Sequence, residues 1–275
     1  MYSIVVPFFN KSKYIDSLFS NLEDMSAHVL SIIIVDDCSS SKEFSTLKSK
    51  VDTSPIKDKI NLVRNEVNMG VQKTRVKGVE ISGSKWCFLL DADDMIHPYN
   101  IKLLEDHLSN VDESVSIVYG AKQNVSEDYV YNQEDFSNSN DKAATNINHI
   151  ISRESDFLNY PTPPMSGLFL NSNFSNVMMD NSAQWGEDII FYLDVLTISK
   201  FIFIDTTASI YRKEVLDSRG SNLDFNKRLT FIKSLFLSKY KNKKLSRKFM
   251  SMIFRCYYAS RCLFSLVFKR VKSLC

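Results

Sequence analysis

The sequence predicts an α/β fold in which a mainly parallel sheet is flanked by helices, and three observations predict it. Short apolar runs of strand length alternate with amphipathic stretches over the first 120 residues, the pattern of successive βαβ units. Between the runs, apolar side chains recur at helical spacing. Several runs end in acidic and polar residues, and in open parallel sheets ligands bind beyond the carboxyl ends of the strands.

The strand candidates are residues 3–6, 31–35, 60–63, 86–90 and 115–119. Tyr14, Ile15, Leu18, Phe19 and Leu22 form a helical stripe between the first two. Val71, Arg75, Val76, Val79 and Glu80 form a less pure stripe between the third and fourth. From Ala121 to about Tyr160 the chain is rich in Asn, Ser and Asp and reads as a loop-rich insertion. Pro161, Pro163 and Pro164 then open a second region, with a helix expected over 187–196 and strands over 201–204 and 208–211. From Leu223 onward the pattern is mostly helical, and there is no internal repeat.

Composition narrows the function classes. Five cysteines, Cys38, Cys87, Cys256, Cys262 and Cys275, form an odd set without CxxC spacing, so neither a disulfide framework nor a zinc cage is indicated. Met1 runs directly into a short apolar strand candidate, which does not fit a signal peptide, so the body is expected in the cytoplasm. Fourteen of the 34 Lys and Arg residues follow Asp224, whereas none of the 32 Asp and Glu residues does. An acidic body with a basic tail points to an anionic partner for the tail. Apolar and aromatic residues such as Phe231, Phe249, Tyr257, Phe264 and Phe268 are interleaved with those cations. No apolar run there approaches the roughly 18 to 20 residues needed to span a bilayer. An interfacial helix on an anionic membrane surface fits, and so does an amphipathic helix packed on the acidic body. No nucleic-acid recognition motif accompanies the charge, and no nucleic-acid partner is expected. These readings place the protein peripherally at the inner face of the cell membrane.

The chemistry is concentrated where the strand candidates end. The first is followed by Pro7-Phe8-Phe9-Asn10, the second by Asp36-Asp37-Cys38-Ser39-Ser40, and the fourth by Asp91-Ala92-Asp93-Asp94. Five carboxylates on one sheet edge repel one another unless a cation joins them. Carboxylates with phosphate oxygens and water are what Mg²⁺ or Mn²⁺ prefers. Taken alone, Asp91-x-Asp93 is also compatible with a helix cap or a solvated turn.

Together with Asn68-Met69-Gly70, Arg75 and Gly78, these segments resemble in order and spacing the GT-A fold of family 2 glycosyltransferases. That family's pattern runs P-x-[YF]-N, V-D-D-x-S, N-x-G-x-x-x-x-R, and strand-D-x-D-D. The resemblance implies a nucleotide-sugar donor, with Pro7 and Phe9 at its base; a buried core aromatic is the other reading of Phe9. It further implies that Asp37 accepts the imide N–H of the base, while Asp36 orients the loop or faces the ribose. Arg75 falls near base and phosphates, Asp91 near ribose and diphosphate, and Asp93 on the divalent cation. The family often has Asn after the arginine; Val76 stands there in this sequence.

Residues 1–120 are thereby expected to be the nucleotide-sugar-binding half of a GT-A domain, 121–222 its acceptor-binding half, and 223–275 a basic amphipathic helical tail. Transfer needs a group that takes the acceptor's hydroxyl proton. Trp185-Gly186-Glu187-Asp188 resembles the family's E-D motif, which implies Asp188 as base, with Glu187 and Trp185 in the acceptor site. Both acids also suit a helix N-terminus electrostatically. Tyr211-Arg212 matches a Y-R pair that the family often shows near its site. Of the four histidines, His97 is the one near the acidic motif, and a supporting or helix-capping role suits it better than ligation.

The resemblance implies inverting transfer of one sugar from a nucleotide-diphosphate donor, with a UDP-sugar expected, to a lipid-linked (polyprenyl-diphosphate) or saccharide acceptor in bacterial surface-polysaccharide synthesis. Rival readings are a non-catalytic nucleotide-sugar-binding scaffold and a sugar-phosphate nucleotidyltransferase. The latter needs a glycine-rich loop after the first strand. The first glycine here is Gly70.

Overall fold

The computed structural model describes residues 1–136, 148–153, 156, 160–180 and 186–213. Trp185 and the tail expected over 223–275 lie outside the described residues.

The first strand, β1 (Tyr2–Phe8), is buried along its whole length because it lies inside the sheet. It pairs in parallel with β2 (Val29–Asp36), and β2 pairs in parallel with β3 (Ile60–Arg64). On its other side β1 pairs in parallel with β4 (Trp86–Leu89). The register sets Phe8 opposite Asp36 and Asp36 opposite Arg64, so the polar residues after these strands share one edge.

The second half of the sheet is mixed. β5 (Met95–Ile96) and β6 (Val115–Val125) are followed by β7 (Asn148–Ile151), β8 (Leu168–Asn171) and β9 (Lys200–Arg212). β8 enters antiparallel between β4 and β6, giving the order β3-β2-β1-β4-β8-β6-β9-β5, with β7 also on β9. The strands expected at 201–204 and 208–211 are one strand. Its polar middle is an irregularity at which the pairing with β6 passes from Tyr119↔Phe203 to Ala121↔Thr207. β6 also runs six residues past the expected end at Tyr119, into the region read as loop-rich.

Helices cover both faces. On one, α1 (Ile15–Met25) buries Ile15, Leu18, Phe19 and Leu22 of the expected stripe, with Met25 added one turn on; Tyr14, also buried, precedes the helix. α2 (Ser41–Thr53) and α4 (Ile101–Leu108) add Leu47, Ile101 and Leu104 to the same core. The other face is covered by α3 (Val71–Ser82) and α5 (Glu187–Val195) with a 3-10 segment, Ser172–Asp180. α3 sits very close to β1: a Cβ built on Gly78 would lie 2.4 Å from Val5 Cγ1. Val76, where the family often has Asn, is 1% exposed and belongs to this core.

Candidate active site

The edge begins with a bend. Asn10 takes φ 51°, a left-handed conformation that Asn tolerates better than most residues. Its N–H donates to Ser39 Oγ at 2.9 Å and its side-chain oxygen accepts Ser40 N–H at 3.0 Å. Ser40 caps α2, accepting Glu43 N–H, and the Glu43 carboxylate accepts Ser12 N–H at 2.9 Å. The exits of β1 and β2 are therefore tied to each other. Pro7 is buried, while Phe9 is 44% exposed at the rim, which rules out the core-aromatic reading.

Asp36 is wholly buried and spent on its surroundings: Arg64 Nε lies 3.2 Å from Oδ2, and Ser39 N–H donates to the carboxylate. Asp37 holds the following loop. Its carboxylate accepts Asn65 Nδ2 at 2.9 Å, Met69 N–H at 2.8 Å and Gly70 N–H at 2.8 Å. Gly70, at φ 85°, caps α3 and directs that helix's first turn along the edge.

Arg75 projects from α3 and is 5% exposed at its side chain. Its Nη2 donates to Asp91 Oδ1 at 2.5 Å, and its Nε finds no acceptor among the described residues. Burial opposes the guanidinium charge, and Asp91, with Glu187 beyond it, more than offsets that opposition. In the acidic motif the three aspartates differ. Asp91 is 30% exposed at its side chain, and its N–H donates to Ser166 Oγ at 3.0 Å. Asp93 meets Lys11 Nζ at 2.8 Å. Asp94 is buried, accepts Arg212 N–H at 3.2 Å, and has its pKa held well above the usual carboxylate range by burial and by Asp93 and Asp91.

The residues expected on the acceptor side, Glu187 and Asp188, stand at the start of α5, which opens at Gly186 (φ 70°). Asp188 Oδ1 accepts its neighbour's Ile189 N–H at 2.8 Å. The carboxyl is raised above its ordinary value by desolvation first and by Glu187 second, with Arg75 pulling the other way. One turn along, the buried Tyr192 hydroxyl has no hydrogen-bond partner among the described residues and lies within electrostatic reach of Asp188, Arg75 and Asp91. At the end of β9, half-buried Tyr211 feels Asp94, Asp93, Asp91 and Asp188. The structure thus gathers Arg75, Asp91, Asp93, Glu187 and Asp188 around one edge.

Other residues at this edge carry weaker sequence signals. Lys11 is one lysine in a polar stretch, Ser166 comes from the far half of the chain, and Tyr192 sits in an apolar helix where it reads as core. Asn21 lies off the apolar stripe of α1 in the sequence, yet it is buried and its amide exchanges two hydrogen bonds with the Ile96 backbone, at 2.9 and 2.7 Å, and so fixes the chain that follows the acidic motif. His97 is fully buried, and its Nδ1 accepts Asn100 N–H at 3.3 Å ahead of α4. Among the described residues no three of His, Cys, Asp and Glu form a metal-holding group by themselves, and no helix is long and apolar enough to cross a membrane.

Solved structures share this fold. S. aureus TarS residues 1–349 superpose with a TM-score of 0.62 at 15% identity, over 94% of this chain and 72% of that one. The mannosyltransferase PcManGT from Pyrobaculum calidifontis, in complex with GDP-Man and Mn²⁺, gives 0.60 at 14% identity, over 94% and 69%. The fold is the GT-A fold expected from the motifs. Among sequence relatives, an uncharacterized glycosyltransferase of Haemophilus influenzae is 32% identical over 98 residues, 36% of this chain and 31% of that protein. Glycosyltransferase GlyG of Streptococcus pneumoniae is 21% identical over 77% of this chain and 70% of its own length. The amylovoran biosynthesis glycosyltransferase AmsB of Erwinia amylovora is 30% identical over 38% and 36%. The match thus spans about a third of the first and third of these relatives. Residues 3–169 match the family model described as Glycosyl transferase family 2, and the chain belongs to that family.

Proposed function

We propose that the protein is an inverting glycosyltransferase that moves a single sugar from a UDP-sugar to a hydroxyl of a lipid-linked or saccharide acceptor. The observation that carries this is the meeting of Asp91 and Asp93, from the first half of the chain, with Asp188 and Glu187, from the second, around buried Arg75. One edge then holds groups for a diphosphate and, opposite them, a carboxyl for an acceptor.

The donor half is residues 1–120, with the base against Phe9 and Pro7, and Asp37 offering its remaining acceptor capacity to the imide. Arg75 and Asp91 would orient ribose and diphosphate. Asp188 is the base. Burial and Glu187 raise its pKa, which strengthens it as a proton acceptor once ionised, and its place at the start of α5 leaves it partly open to solvent. It takes the proton of the attacking hydroxyl as the new glycosidic bond forms and the bond to the diphosphate breaks, in a single displacement with inversion. Glu187 and Trp185 shape the acceptor site.

The donor set fits a divalent cation, Mn²⁺ or Mg²⁺. Such ions are commonly held by one or two carboxylates plus substrate phosphates, and Asp93 already faces a cationic group, Lys11. When bound, the ion would neutralise charge that grows on the departing diphosphate. Arg75 contributes to the same end from the protein.

An acceptor carried on polyprenyl diphosphate in surface-polysaccharide synthesis agrees with the amylovoran role in the name of one relative and with the basic tail. Peripheral attachment to the inner membrane face would follow from the tail.

Calorimetric titration of UDP and GDP, with and without Mn²⁺, tests the reading. UDP is expected to bind in a metal-dependent manner that Asp93→Ala abolishes, with GDP weaker. Folded protein that binds neither nucleotide overturns it.

A further inference from the structure

Asp93, the carboxylate proposed above as metal ligand, already holds a cation of the protein's own. Lys11 Nζ lies 2.8 Å from Asp93 Oδ2, and the two side chains are 23% and 21% exposed. Lys11 follows directly on left-handed Asn10, which Ser39 and Ser40 hold, and its carbonyl accepts Tyr14 N–H at 3.0 Å. The root of the side chain is therefore built in. Its ammonium also sits 5.5 Å from the Tyr14 ring centroid, a second favourable surface for a cation.

We infer that Lys11 and the divalent ion exclude one another at Asp93, so that the ion is taken up with the donor and poorly without it. The inference rests on the reading of Asp93 given above. A divalent ion would sit roughly 2.1–2.6 Å from a carboxylate oxygen. An ammonium retained on the same oxygen would set a divalent ion and a unit positive charge in close proximity against the single negative charge of that carboxylate. A nucleoside diphosphate changes the balance twice over: it supplies oxygens to the ion, and it offers Lys11 a second anion to move to. Ion and donor then favour each other's binding, and by linkage the coupling is equal in both directions.

The test is Mn²⁺ binding to the full chain, read from the spectrum of the free ion, without nucleotide and with saturating UDP. The variants are Lys11→Met, Asp93→Ala and, as a charge control, Lys13→Met; Lys13 pairs with Glu127 rather than with Asp93. Without nucleotide, Lys11→Met is expected to bind Mn²⁺ about fivefold more tightly than the parent or better, the lower end of ordinary coupling. Lys13→Met should match the parent, and the gain should shrink once UDP is bound. A folded Lys11→Met protein whose Mn²⁺ affinity equals that of the parent, or of Lys13→Met, overturns the exclusion and leaves the proposed function standing. Undiminished Mn²⁺ binding by Asp93→Ala in the presence of UDP removes the metal assignment itself, and the inference with it.

Discussion

Arg75 and Asp91 join the two structural layers of the site: a guanidinium rooted in α3 reaches the carboxylate at the end of β4, 2.5 Å away. The arginine is almost fully covered and the aspartate is 30% exposed at its side chain. Replacing Arg75 by Met would leave Asp91 without its partner, with the Arg75 charge gone from beside Glu187 and Asp188. Water can rehydrate Asp91 in part, so the loss should be about 2 kcal/mol, below the ~3–5 kcal/mol of breaking a fully buried pair. Urea unfolding is expected to show this loss. Adding Asp91→Asn should recover at least half of it, and no recovery would mean that the pair does not carry the effect.

Asp37 makes a different prediction because three donors from the loop 65–70 converge on its carboxylate. An Asn there has one acceptor oxygen and turns an NH₂ toward an N–H it cannot satisfy. Asp37→Asn should cost about 1–3 kcal/mol, the ordinary penalty for a buried donor left without a partner. Amide exchange at Gly70 should quicken at the same time. Unchanged stability together with weakened UDP binding would show that the carboxylate serves the ligand and not the loop.

Asp37 also marks where the sequence stops being readable. Motif order identified the residues of the edge, since apolar strands and the polar residues that end them are local properties. It could not tell which carboxylate is already occupied. Asp36, Asp37 and Asp94 already accept from Arg64, from the 65–70 loop and from Arg212 N–H, Asp37 with acceptor capacity left over, and each partner arrives from another element. Lys11 was invisible for the same reason: the reach of a long, flexible side chain across two loops leaves no periodicity. In the fold, short elements escaped. β5 has two residues and depends on Asn21 of α1 for its position, while β8 is a four-residue run placed between β4 and β6. The register irregularity that joins the two expected strands into β9 reads in sequence as a polar gap.

The packing of α3 on β1 can be tested at Gly78. A methyl group there would enter the space of Val5 Cγ1 at 2.4 Å and lie 3.4 Å from Val35 Cγ2. Gly78→Ala should destabilise by about 1–3 kcal/mol, the usual cost of overpacking, despite the better helix propensity of Ala. Val5→Ala should itself destabilise by leaving a cavity. Because the inserted methyl fills that cavity, the double variant should lose less than the two single losses combined. Strict additivity in thermal or urea unfolding would show that the helix shifts away rather than being held against the strand.

Asp188 yields a paired prediction on activity and pH. Asp188→Asn keeps the shape of the side chain and removes the proton acceptor, so transfer should fall about a hundredfold to ten-thousandfold while UDP binding persists. Because desolvation and Glu187 raise the carboxyl's folded pKa, the acid limb of kcat/KM should lie above the ordinary aspartate range. The same shift fixes the sign of its effect on stability. A group with a raised folded pKa contributes stability that is fully present below its unfolded pKa and is lost as pH rises through the folded value. The parent should therefore lose stability relative to Asp188→Asn as pH is raised from below the ordinary aspartate pKa through the raised one. Unfolding measured for both proteins across that interval checks it. A constant difference between them would mean that Asp188 does not titrate with a raised pKa, and the case for it as a strengthened base would fail with it.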